Sequence, residues 1–140
     1  MRRLFSFSMV LSLSCMVALV LGIASFECEA QQPLKVEVLF MNHGPMQPTI
    51  RNLQSILKRY AGKVQDSWFD FDQQSGVTFM RKKGIKKHIP LLIFIDGAYT
   101  FDLGGRKVTL MGFPTGAGPM QYQGKWTFQD LEQVLQSLTR

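Results

Sequence analysis

Few residues in this 140-residue chain are equipped for chemistry, and most of them cluster in the segment Met41-Asn42-His43-Gly44-Pro45-Met46. His43 and His88 are its two histidines, and its two cysteines, Cys15 and Cys28, both precede residue 31. Everything after Cys28 therefore lacks a thiol, and thiolate attack on a disulfide is closed to it. Imidazole and thioether together are soft ligands suited to Cu(I). His43 and Met46, with Met41 or His88 completing the set, are the candidate copper ligands; the plainer alternative is that the methionines fill the core. Glu37, six residues before His43, reads either as an exposed carboxylate on a strand edge or as a partner of a nearby cation. If buried, it would pair with His43 or with a lysine, or rise in pKa through desolvation. An acid–base pair of His43 and Glu37 is the enzymatic reading, but two polar groups without a nucleophile or a pocket do not define a reaction. No catalytic residue is assigned, and apart from possible copper no cofactor is expected.

The first 30 residues differ from the rest. Met1-Arg2-Arg3 is basic and Leu4 to Ala24 is uncharged. The run Glu27-Cys28-Glu29-Ala30 follows, and its last three residues fit a small-x-small cleavage pattern. Residues 1–30 read as a signal peptide cut before Gln31. The alternative is an uncleaved anchor over residues 4–24, since about 20 apolar residues span a bilayer. Either way the chain is expected to be exported, to the periplasm or the cell exterior. Residues 31–140 then form one domain of ordinary size, able to bury a core without disulfides. The net charge of +6 favours anionic surfaces, and nucleic acid is not an expected partner of an exported chain.

The elements that must position these residues follow from hydrophobic pattern. Leu34–Met41 reads as a central strand and Asn42–Pro45 breaks it. Ile50, Leu53, Ile56, Leu57 and Tyr60 recur at helical spacing up to Ala61-Gly62. Val64–Phe71 is a second strand. Asp72–Lys83 reads as a helix capped by Asp72 and buried through Val77 and Met80. Ile89–Ile95 is a continuous apolar strand, Lys107–Phe113 another, and Pro114–Trp126 a surface loop. Thr127 caps a last helix carrying Phe128, Leu131, Val134, Leu135 and Leu138. The order predicts an α/β domain with a mixed four- to five-stranded sheet and helices on both faces.

In that order and spacing, residues 34–140 resemble the thioredoxin family. The family's Cys-Gly-Pro-Cys falls on His43-Gly44-Pro45-Met46, and Gly84–Pro90 is similar to its cis-proline loop, with a longer segment near Tyr99–Arg106 and a longer loop at Pro114–Trp126. The resemblance implies a cis Pro90 facing the His43 turn, a buried acid at Glu37, and a groove bordered by His88, Ile89 and Pro90 that holds an extended polypeptide. It also implies a scaffold that outlived its redox chemistry, because histidine and methionine stand where both cysteines belong. A redox-inactive binding or adaptor module for a polypeptide partner is thus the expected function, with copper handling as the alternative. Pro48 departs from the family motif and is expected to disturb the first helical turn. The basic run Arg81, Lys82, Lys83, Lys86 and Lys87 suits a helix C-terminus, or an acidic partner or lipid head groups.

Overall fold

The computed structural model describes residues 32–140. The leader expected over residues 1–30, with its cleavage site and possible anchor, lies outside the described residues. Among the described residues, no helix is long and apolar enough to cross a membrane.

Strand β1 (Leu34–Phe40) is the centre of a three-stranded mixed sheet. On one side it pairs in parallel with β2 (Val64–Asp70), Leu34 opposite Val64 through Phe40 opposite Asp70. On the other it pairs antiparallel with β3 (Leu91–Ile95), Val36 opposite Ile95 and Phe40 opposite Leu91. The alternation of β1 divides the core. Val36 and Val38 join the larger cluster, with Leu53 and Ile56 of α1 (Gln47–Arg59) and Leu131 and Leu135 of α3 (Phe128–Leu138). Leu39 belongs to the smaller cluster with Leu92, Phe94 and Phe79 of α2 (Gln74–Lys83). Helices therefore cover both faces, as the strand pattern requires.

The sheet itself is shorter than expected. Thr100–Leu103 (β4) and Arg106–Thr109 (β5) form a separate two-stranded hairpin, turning on Gly104 and Gly105, both at positive φ. This is the left-handed pair that tight hairpins favour, and the sequence reading had no strand at β4. The strand expected over Lys107–Phe113 ends at Thr109. Beyond it a single bridge, Leu92 to Met111, and bonds from Ile93 N to Leu110 O and Gly112 N to Leu91 O hold the chain beside β3. Gly112, at φ 78°, then turns it away, and Phe113 N–H donates to Tyr122 O instead.

Helix α1 tolerates Pro48. The chain enters through a short 3-10 turn, Gly44–Met46, and the proline sits in the first helical turn, where no N–H is required. The expected disturbance is absent because the position costs no hydrogen bond. Two expectations for α2 are corrected. Its N-cap is Gln73, not Asp72, and Gly76 and Phe79 face the sheet, while Val77 is 41% exposed and Met80 half-buried. The reason is aromatic packing: Phe79 stacks on Phe69 with centroids 4.1 Å apart and meets Phe94 edge-on, which rotates Val77 toward solvent. Helix α3 starts with the expected Thr127 cap, completed reciprocally by Asp130. Leu131, Val134 and Leu135 are buried, whereas Leu138 in the last turn is exposed.

Candidate functional site

The chemistry-bearing residues converge where β1 ends. Met41 N–H donates to Pro90 O at 3.0 Å, so the turn that follows β1 is tied to the loop that precedes β3. His43 stands in extended conformation before the 3-10 turn, and Met46 N–H closes that turn on His43 O at 2.9 Å. His43 projects into solvent while Met46 is buried in the larger core cluster.

Between the turn and the loop lies an open cleft of about 230 Å³. Met41, His43, Pro45 and Met46 form one side, and His88 and Pro90 the other. Phe113, Pro119 and Tyr122 complete it. The lining is mostly apolar, with the imidazoles of His43 and His88 among it. All four candidate copper ligands, Met41, His43, Met46 and His88, thus line one cleft. Among the described residues no group of three or more His, Cys, Asp or Glu side chains is arranged to hold a metal ion.

The expected cis-proline is corrected. The Ile89–Pro90 bond is trans, as is every peptide bond among the described residues. Trans is the intrinsically favoured isomer even before proline, and in this form the Pro90 carbonyl meets the Met41 amide.

The suggested His43–Glu37 pair does not form. His43 Nε2 lies 3.4 Å from Asp72 Oδ2, with both side chains more than half exposed. Asp72, read from the sequence as a helix cap, is instead the neighbour of His43. Glu37 is buried on the α2 side of β1, 2.7 Å from Lys83 Nζ and 2.9 Å from Lys35 Nζ. Burial by itself pushes the Glu37 carboxyl up. The hydrogen bonds from Lys83 and Lys35 and their charges outweigh burial and hold the carboxyl below its ordinary value. Lys83 Nζ also lies 4.5 Å from the centroid of the Phe94 ring. Of the basic run, Lys83 is therefore turned inward, while Arg81, Lys82, Lys86 and Lys87 stay exposed. The His88 ring packs against Phe71 at 4.1 Å between centroids.

The sequence reading missed the contribution of the Pro114–Trp126 loop. Thr115 N–H donates to Trp126 O at 2.7 Å and Gly124 N–H to Phe113 O at 2.7 Å, pinning the loop as a strap. The indole of fully buried Trp126 anchors its end by donating to the Met111 and Gly112 carbonyls at 3.2 Å. The strap brings Pro119 and Tyr122 to the cleft and leaves Met120 86% exposed. Its glycines and prolines signalled a loop but not which residues would face the His43 turn. No family model matches the chain, and neither does any curated protein.

Proposed function

We propose that residues 31–140 are a thioredoxin-like domain that has lost its redox pair and serves, in an exported protein, as a binding module for an extended polypeptide. The observation that carries this reading is the open apolar cleft between the His43 turn and the His88–Pro90 loop. The strand order β2-β1-β3 supports the family assignment, with β2 parallel and β3 antiparallel to the centre and the turn at the head of α1. A cleft of this kind takes apolar side chains of a peptide, while neighbouring polar groups fix its orientation. Binding of this sort needs no thiol.

With p-benzoylphenylalanine at residue 43, irradiation is expected to yield polypeptide adducts. They should be absent with the same probe at Gln136, an exposed position on α3. They should also diminish when Tyr122→Glu places a charge at the cleft. Equal labelling from both positions, or no adduct at residue 43, would sink the proposal.

One observation favours a second reading, Cu(I) handling: two thioethers and two imidazoles line the same cleft. On this reading, titration with Cu(I) against a competing chelator gives tight binding that His43→Ala and Met46→Leu each abolish. Retention of binding in either variant removes it.

A further inference from the structure

A second groove, of about 240 Å³, lies on the α2 side of the sheet. Leu92 and Phe94 of β3 contribute to it, as do Ile85 and Ile89 of the loop after α2. Met111 and Tyr99 complete the apolar lining, and they are 41% and 42% exposed despite their size. The charged residues along the groove are Lys83, Lys86 and Lys87, with no acid among them. From Gln73 to Ile95 the chain carries five lysines and arginines and no aspartate or glutamate. Lys83 is already paired with Glu37. Lys86 and Lys87 are exposed, and among the described residues neither forms an ion pair.

We propose that this groove binds a monomeric anionic amphiphile. Its single alkyl chain would lie against Met111, Tyr99 and Ile89, above the nearly buried Leu92 and Phe94, and its carboxylate would meet the ammonium groups of Lys86 and Lys87. Apolar walls next to unpaired cations are complementary to such a ligand on both counts. A peptide strand fits less well. β3 is bonded to β1 along one edge and to Leu110 and Gly112 along the other, so it has no free edge to extend. A bilayer surface fits less well too, because a concave apolar site receives a chain rather than inserting into one. The proposal does not rest on the polypeptide reading of the His43 cleft.

The test is a titration of the full chain with dodecanoate, held below its micelle concentration and followed by calorimetry and methyl NMR. Saturable binding is expected, with shifts at the methyls of Ile85, Ile89, Leu92 and Met111. The double variant Lys86→Glu/Lys87→Glu, confined to exposed positions, should weaken it about tenfold or more. Dodecyltrimethylammonium, with the same chain and the opposite charge, should not compete. Four outcomes would overturn the proposal: no saturable binding, undiminished affinity in the double variant, shifts confined to Met41 and Met46, or association only with phosphatidylglycerol vesicles or polyglutamate.

Discussion

Gly76→Ala is expected to lower stability by about 3 kcal/mol, although alanine is the better helix former by about 1 kcal/mol. Gly76 lies inside α2, and a Cβ there would fall onto the backbone carbonyl of Asp70, 2.6 Å from the carbonyl carbon. Backbone cannot rotate aside as a flexible side chain can, so relief requires α2 to move off the sheet. That movement would also loosen the Phe79 stack on Phe69 and draw Lys83 away from Glu37. In thermal unfolding the variant should melt roughly 15 °C below the parent, at about 4–8 °C per kcal/mol for a domain of this size. Gln74→Ala, at an exposed position of the same helix, should be near neutral. A Gly76→Ala protein as stable as the parent would show that the close approach of α2 to Asp70 is dispensable.

Lys83→Met should cost about 3 kcal/mol at neutral pH, because it leaves the buried Glu37 carboxylate with only the half-exposed Lys35 as partner. The loss depends on pH with a defined sign. Glu37 in the folded chain titrates below its ordinary value of 4.5. Its ion pairs therefore stabilise fully above that value, and the contribution fades as pH falls through the folded pKa, where the unfolded chain binds the extra proton. In the variant, desolvation is less opposed, and acid relieves the buried charge. The gap between parent and variant should accordingly be widest at pH 7 and narrow below about pH 4.5 in urea unfolding. Asp130 also titrates low. Burial pushes it up, but Arg106 and the Thr127 cap outweigh that effect. It adds to the acid sensitivity of both proteins and cancels from their difference. A gap that stays constant from about pH 7 to about pH 3 would contradict the assignment. Replacing both partners, Glu37→Leu with Lys83→Met, should recover most of the loss, since no buried charge is left alone.

Much of the scaffold was legible because its signals are local. The alternation Leu34, Val36, Val38, Phe40 marked β1, an unbroken apolar run marked β3, helical spacing of Ile50, Leu53, Ile56 and Leu57 marked α1, and Thr127 marked the start of α3. The hairpin at β4 escaped because its short strands are largely exposed and show no apolar run. Helix α2 was found, but with the wrong cap and partly the wrong face. Val77 and Phe79 are both apolar, and only the aromatic partners on β2 and β3 choose between them.

The candidate site divides along the same line. His43-Gly44-Pro45-Met46 could be picked out from residue types and spacing. The contributions of Phe113, Pro119 and Tyr122 could not, because the strap that carries them is placed by bonds to residues well removed in sequence. Glu37 is buried, and its strongest partner, Lys83, lies 46 residues away and is set by how α2 sits on β1.

By itself, the sequence determined that no cysteine follows residue 28, so residues 32–140 contain no thiol; that is a matter of composition. It also determined the alternation of β1, which sets Leu34, Val36, Val38 and Phe40 on one face and Lys35, Glu37 and Leu39 on the other before any partner is known. Only the tertiary structure decided which side chains meet across the His43 cleft, that Pro90 faces it in a trans peptide, and that Glu37 is held by lysines rather than by His43. Periodicity along a chain tells which side of an element is buried. The partner it is buried against depends on contacts between distant segments, which no local pattern encodes.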